Sequence, residues 1–455
     1  MIMDLDVHQG IINSNLGDAK KDLGVFFTPE CIVDLMVRMI DAGRYGQQNS
    51  ITILEPACGL TQFLIGIKRN KPDLFSKAEL YGVEINKEIV KQFKSLNLIN
   101  DNVHMVNTDY LLWQPDKSFD LIIGNPPYGI PSLSEHYTIK VDSETKKRYK
   151  AAFETWYGKY NVYGAFIEKS IKLLKPEGQL ILIIPATFMI LDDFKKLRFF
   201  LSQNGVTNIT YLGPHVFKPE ANVAAAVLNF HKSRNCGYLA LFDYRENTSH
   251  IMKEDPDWKG EVVKFETDYT RRLEAICSHK LGDIFDIRIS PRTPEIKNNR
   301  FIAIEYQKET MQHLPILNGR NLKCNNISYE ALTGFWIESD NVEKLRRFFK
   351  IPHIVVGLGF RENGRVASAY DDRCYPWMGD VYHLLNKNDM FSSDFDLNTA
   401  DILEYLNSDY VRKYVKETYR EITYHLSITQ LKNIPCPTNS EWNEIKDGAI
   451  HEKFS

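Results

Sequence analysis

Between Ile51 and about Phe230, short apolar runs alternate with stretches in which apolar positions recur every three to four residues. That alternation predicts a Rossmann-like α/β fold, a parallel sheet with helices on both faces. The runs predict strands at Ile51–Glu55, Leu80–Glu84, Val103–Val106, Asp120–Gly124, Gln179–Ile184 and Asn208–Leu212. A further run, Val223–Phe230, predicts a strand paired with its predecessor through the intervening loop. Asp120–Gly124 is nearly continuous in apolar residues, as expected of a central strand covered on both faces. Helices are expected to begin near Pro29, Gln62, Lys87, Tyr163 and Asp193. The first precedes strand one, with Thr28 as N-cap and Pro29 at the first helical position.

After Lys264 the alternation fades, which divides the chain into an α/β unit over 1–264, with a short N-terminal extension 1–21, and an α+β unit over 265–455. In the second unit "HIVVGLGFRE" and "RVASAYDD" flank Asn363-Gly364, a strong hairpin signal. The "GLGF" there belongs to a strand, because no helix follows to make a phosphate loop. Asp401–Thr418 reads as helix.

Composition narrows the classes. The chain has 455 residues, 43% hydrophobic and 25% charged, with a net charge of −3. Neither half is basic: 25 Lys+Arg face 28 Asp+Glu from Phe265 onward, and 31 face 31 before it. This argues against a non-specific nucleic-acid coat, and any binding to DNA must come from local placement of charge. The expected compartment is the cytoplasm, with no membrane segment. Seven scattered cysteines, with no close pair at zinc-finger spacing, predict free thiols and no metal.

Chemistry concentrates at the carboxyl ends of the predicted strands, where open α/β sheets bind ligands. Strand one runs into "EPACG", Glu55 to Gly59: a carboxylate, a rigid proline, then small residues that admit a ligand to the backbone. Strand two ends at Glu84, followed by Ile85, where an acidic residue would take ribose hydroxyls. Strand three is followed by "NTDY", with Asp109 and Tyr110. Any one of these acids could merely cap a helix; in ordered succession they point to a nucleoside cofactor. The loop "ACGLTQF" has one glycine where a dinucleotide fingerprint has three, so a pyrophosphate is not expected. A cofactor with ribose and adenine but no phosphates fits, and S-adenosyl-L-methionine is the common one. Strand four ends in "NPPY", Asn125 to Tyr128, whose prolines stop the ladder and stiffen the loop.

The ordered set "VFFTPECIV", "EPACG", "GVEI", "NTDY", "IIGNPPYG" and "NVYGAFIEKS" resembles the gamma-class DNA adenine-N6 methyltransferases, and is closest to their TaqI type. The resemblance extends through "IIPATFM", "EVVKFETDYTRRLE", "LNGRNLK", "YPW" and "VYHLL", nearly the whole chain. Thr61 departs from it, standing where many relatives have a second glycine.

The resemblance implies a C-terminal target-recognition domain and transfer of a methyl group to a flipped-out adenine in a duplex site, TCGA being the first guess. Asn125 and Pro126 would accept the N6 hydrogens, and Tyr128 with Phe217 would stack on the base. Thr28 and Glu55, Pro56, Ala57, Cys58 and Gly59 would hold the methionine part of the cofactor. Glu84 would hold its ribose and Asp109 with Tyr110 and Phe166 its adenine, and Ile85, Asn125 and Pro127 would also belong to the cofactor site. Arg320, Lys323, Arg361, Arg365 and Arg373 are candidate DNA contacts. Double-stranded DNA is the expected partner, with a cognate restriction endonuclease acting on the same site, and the protein is expected to work as a monomer. Methylation of a protein glutamine is the competing reading, since those enzymes share the NPPY loop. They lack a C-terminal half of this size. Cys436, in "IPCP", lies far from the catalytic strand end and reads as structural rather than as a cytosine-C5 nucleophile.

Overall fold

The computed structural model describes residues 28–96, 103–132, 139–217, 223–253, 258–290, 296, 298–301, 313–343, 349–360, 366–379, 381–387, 395–423 and 425–448. The chain divides into two compact units, Met1–Val263 and Lys264–Ser455.

The first unit is built on a nine-stranded sheet of order β3-β2-β1-β4-β5-β7-β6-β8-β9. Its strands are β1 (Ile51–Pro56), β2 (Ala78–Glu84), β3 (Val103–Asn107), β4 (Phe119–Gly124), β5 (Leu174–Pro185), β6 (Gly205–Gly213), β7 (Ala225–Lys232), β8 (Leu239–Asp243) and β9 (Thr248–Lys253). β1 to β5 pair in parallel. β7 runs antiparallel between β5 and β6, so the sheet is mixed rather than wholly parallel. The link from β6 is too short for the crossover that a parallel return needs. β8 and β9 extend the sheet beyond the strands the apolar pattern announces; β8 is a short, half-buried alternation.

β4 lies in the middle, with Phe119, Leu121, Ile122 and Ile123 fully buried. Its one acid, Asp120, is satisfied by the Thr52 N–H at 2.8 Å and by Lys175 at 2.7 Å, which holds its carboxyl below the ordinary value despite burial.

The helices that frame the site are α1 (Glu30–Arg38), α2 (Gln62–Asn70), α3 (Lys87–Leu96), α4 (Ser143–Ala152), α5 (Val162–Leu173) and α6 (Lys195–Asn204). α1 begins one residue later than expected. Pro29, with extended ψ of 142°, takes the cap position, no side chain caps the helix, and Thr28 is not its N-cap. The Thr28 hydroxyl is engaged elsewhere, as described below. α6 starts at Lys195 after a single 3-10 turn over Asp192–Phe194.

The second unit contains a four-stranded antiparallel sheet, ordered β10-β13-β11-β12, made of β10 (Phe285–Ile289), β11 (His353–Phe360), β12 (Val366–Asp371) and β13 (Val381–Asn386). β11 and β12 pair with Phe360 opposite Val366. The Asn363-Gly364 turn itself lies outside the described residues. Trp377, Val355 and Ile337 anchor the core. The helix expected over Asp401–Thr418 is two helices, α7 (Thr399–Leu406) and α8 (Asp409–Tyr419). They break at Asn407, whose amide donates to Asn325 and to the Ser368 carbonyl, and at Ser408, whose hydroxyl caps α8.

Candidate active site

β4 delivers Asn125 to the carboxyl edge of the sheet beside Thr28. Asn125 Nδ2 donates to Thr28 Oγ1 at 3.0 Å. Its Oδ1 accepts from the Tyr128 hydroxyl at 2.6 Å. That hydroxyl also lies 2.9 Å from the Ile183 carbonyl, so one proton is shared between two acceptors. Burial pushes the Tyr128 phenol well above its ordinary range, and it stays a neutral donor. Behind it, Asn161 Oδ1 accepts the Gly129 N–H at 2.8 Å and the Gly129 carbonyl accepts the Val162 N–H at 2.9 Å. The loop is thereby held at both ends. Phe217 is buried and meets Tyr128 edge to face, with centroids 5.9 Å apart and planes at 69°.

The neighbouring strand ends form the second half of the site. Ala57, Gly59 and Thr61 all take positive φ, at 51°, 51° and 60°. Thr61 therefore adopts the left-handed conformation a glycine would take, and the loop keeps that geometry despite the substitution. Glu55 is buried, and its two oxygens accept the N–H groups of Phe63 and Leu64 in the first turn of α2, at 3.2 and 3.1 Å. Burial pushes its carboxyl up to about 8, against the pull of those two bonds. Pro56, the last residue of β1, leads into this turn.

Glu84 bridges the Gly59 N–H at 3.0 Å and the Asn86 N–H at 2.8 Å, tying the first loop to the second; burial raises its pKa as well. The next residue, Ile85, is 59% exposed, an apolar side chain left uncovered beside a buried carboxylate. Cys58 packs against Met105 and over Gly82, where a Cβ would stand 2.8 Å from its sulfur. On β3's side, Asp109 accepts from Leu111 N–H at 2.9 Å and from the Tyr149 hydroxyl at 2.8 Å. Tyr110 stacks on Phe166 at 4.9 Å and shares a hydrogen bond with Ser170 at 2.8 Å. The structure thus brings the sequence-predicted residues of the first unit to one edge of the sheet. It adds Thr28 as a partner of Asn125, Asn161 as a brace and Tyr149 as a partner of Asp109.

Residues 51–217 match the Eco57I restriction-modification methylase family, and residues 314–436 match the TaqI-like C-terminal specificity domain. Over 422 residues, 91% of either chain, the protein is 39% identical to the type II methyltransferase M.TthHB8I of Thermus thermophilus. The chain belongs to the type II methyltransferases of restriction–modification systems.

This methyltransferase is also 34% identical over 177 residues to the restriction enzyme and methyltransferase RM.Eco57I of Escherichia coli, 38% of this chain and 17% of that one. The DrdV–DNA complex shares its fold over 97% of this chain and 58% of that chain, with a TM-score of 0.57 at 14% identity. The first unit is thus an S-adenosylmethionine-dependent methyltransferase fold, and the second a TaqI-like specificity domain.

In the specificity domain of the methyltransferase, Arg320 is exposed on a 3-10 turn and Lys323 on the strand after it. Arg373 lies 4.5 Å from the Tyr329 ring centroid, on a loop that buried Asp371 holds through Trp377 and Cys374. Arg361 and Arg365 lie outside the described residues. All seven cysteines are free. Cys436 is fully buried and burial pushes its thiol well up, so it is not a thiolate available for attack on a base. Among the described residues no His/Cys/Asp/Glu group could hold a metal, and no helix is long and apolar enough to cross a membrane.

Proposed function

We propose that this methyltransferase moves the methyl group of S-adenosylmethionine to N6 of an adenine turned out of a short duplex site, as the modification component of a restriction–modification system. The observation that carries the reading is the placement of Asn125. Its amide stands at the carboxyl end of β4 between the Thr28 and Tyr128 hydroxyls, and its carbonyl oxygen, which meets the Tyr128 hydroxyl, is an acceptor suited to an amino group. A lone pair delocalised into the adenine ring makes N6 a poor nucleophile. Asn125 Oδ1 and the Pro126 carbonyl take its two hydrogens, draw the nitrogen toward tetrahedral geometry and aim its lone pair. Held by prolines, these acceptors need no reorganisation as charge develops.

When bound, the cofactor supplies an electrophilic sulfonium methyl. Thr28 and the Glu55–Gly59 loop hold its methionine part, and Glu84 binds the ribose hydroxyls. Ile85 offers the adenine its uncovered apolar surface, and Asp109, Tyr110, Pro127 and Phe166 complete the pocket. Tyr128 stacks on the extruded target base and Phe217 closes against its edge, the base having left the duplex because N6 is out of reach inside it. In the protein alone the Tyr128 hydroxyl occupies Asn125 Oδ1, so the incoming amino group displaces an internal hydrogen bond.

A glutamine side chain would also present an amino group to Asn125. The match of residues 314–436 to a specificity domain supports duplex DNA instead. The protein is expected to act as a monomer beside a separate endonuclease of the same specificity, with TCGA as the first site to try. The test is incubation with mixed-sequence DNA and cofactor, followed by single-molecule sequencing. Modified adenine confined to one motif supports the reading. Cofactor binding with no modified adenine would move the assignment to protein amides.

A further inference from the structure

With a net charge of −3, any contact with a phosphate backbone must come from a local cationic patch. α4, the next helix in the chain after the Asn125–Tyr128 loop, has the required character. Its sequence, SETKKRYKAA, places Lys146, Lys147, Arg148 and Lys150 within five residues. Tyr149 is buried, and Lys147, Arg148 and Lys150 are exposed on the opposite arc of the helix. None of these four cations forms an ion pair among the described residues. The acids of the segment sit at the other end: Asp142 caps the helix by accepting the Glu144 and Thr145 N–H groups at 2.9 Å each, and Glu144 occupies the first turn. The helix dipole accounts for a cation in the last turn. It does not account for four, because like charges at i,i+4, such as Lys146 and Lys150, oppose helix formation by about 0.2–0.5 kcal/mol.

A second, independent observation ties this helix to the site. The Tyr149 hydroxyl donates to Asp109 Oδ2 at 2.8 Å. Its ring begins a ladder of aromatic contacts: Tyr149 to Trp156 at 6.2 Å, Trp156 to Tyr160 at 5.2 Å, Tyr160 to Phe194 at 5.3 Å, Phe194 to Tyr163 at 4.9 Å and Tyr163 to Tyr128 at 6.2 Å. Beside the ladder, Lys195 lies 4.4 Å from the centroid of the exposed Tyr157 ring and Lys196 lies 5.8 Å from it. Asp193 accepts the Lys159 N–H nearby, so that patch is less positive than α4.

We propose that the exposed cationic face of α4 docks duplex DNA phosphates, giving the catalytic unit its own backbone contact, braced through the aromatic ladder against the residue that stacks on the target base. The inference rests on the proposed DNA reading. Charge complementarity selects the occupant: three unpaired cations on a capped helix whose buried Tyr149 bonds Asp109 suit a polyanion.

The experiment measures binding of a methylatable duplex by the full-length protein against salt concentration, for the wild type and for Lys147→Gln/Arg148→Gln/Lys150→Gln. A control, Lys87→Gln/Lys91→Gln, removes two exposed lysines of α3. Each lost phosphate contact lowers the slope of log affinity against log salt by about 0.9. The triple variant is expected to lower it by about 2 to 3, and to raise KM for DNA by about tenfold or more with kcat and cofactor affinity kept. The control is expected to leave the slope unchanged. An unchanged slope in the triple variant, with methylation intact, overturns this inference and leaves the proposed function standing. Wild-type protein that neither binds nor methylates duplex DNA sinks the proposed function and this inference with it.

Discussion

Thr28 and Asn125 stand 97 residues apart in the chain and meet through one hydrogen bond, Nδ2 to Oγ1 at 3.0 Å. The bond holds the Asn125 amide in place at the end of β4. Thr28→Val keeps the shape and removes the acceptor. Turnover is expected to fall about tenfold, the cost of one misdirected buried amide. Thr28→Ser should restore most of it. Single-turnover methylation rates check this, and equal rates for Val and wild type would show that the amide is oriented by something else.

In the proposed chemistry Asn125→Ala removes an acceptor that matters most in the transition state. We expect a rate loss of about 10²–10³ or more, the usual cost of one preorganised group. Cofactor affinity, read by isothermal titration, should change only a few-fold. A variant that keeps its rate contradicts the assigned chemistry.

Tyr128 separates ring from hydroxyl. Tyr128→Phe keeps the stacking surface and frees Asn125 Oδ1 from its internal partner, so base capture should be equal or better, while stability drops by about 1 kcal/mol for the lost buried bond. Tyr128→Ala should lose base capture. A fluorescent base at the target position distinguishes the two; similar signals from both would mean that the ring does not hold the base.

Gly82 sits where β2 passes beneath the Ala57–Gly59 loop. A Cβ there would meet Cys58 Sγ at 2.8 Å and Met105 Sδ at 2.7 Å. Gly82→Ala is expected to cost about 1–3 kcal/mol and to weaken cofactor binding by moving Cys58. Adding Cys58→Ala should return part of both losses, measured by denaturant unfolding and cofactor titration.

In the second unit, His353 and His383 form a buried chain. His353 Nδ1 donates to the Ile351 carbonyl, its Nε2 accepts from His383 Nδ1 at 2.7 Å, and His383 Nε2 faces Ser290. Burial lowers both pKa values, His383's well below the ordinary histidine range. Well above the unfolded-chain value of about 6.5 both imidazoles are neutral in the folded and unfolded chain and the pair adds no pH dependence. Below it the unfolded chain takes up protons that the fold refuses, so stability falls as pH falls. Asp371, whose carboxyl is raised by burial, pulls the other way. The informative quantity is therefore a difference: His383→Leu, less stable than wild type at pH 8, should lose less of its melting temperature between pH 7 and pH 5.

The catalytic half was legible because its signals are local. β1, β2 and β4 are buried apolar runs, and Asn125 to Tyr128 announce themselves by proline. The misread positions are those where tertiary partners outbid local preference. Thr28 has the chemistry of an N-cap, yet its hydroxyl serves Asn125. Asn407-Ser408 look tolerable within a helix, yet Asn407 is held by Asn325 and Ser368 and the helix breaks. Asp109 and Tyr149, or Phe194 and Tyr163, leave no mark of proximity in a single chain. The second unit's short strands, two and three residues in places, lie below what an apolar pattern can register.

The position of β7 bears on how the chain is made. β5 and β6 are neighbours in sequence but not in the sheet, since β7 fills the gap between them. During synthesis the catalytic loop after β4 emerges long before that gap can be filled. Until residues 225–232 leave the ribosome, β5 and β6 each present an unpaired edge, the kind of surface that recruits other chains. A truncation before Ala225 would thus contain Asn125 to Tyr128 and still be a poor folding unit, whereas a nick within the link from β6 to β7 would leave every strand available to assemble.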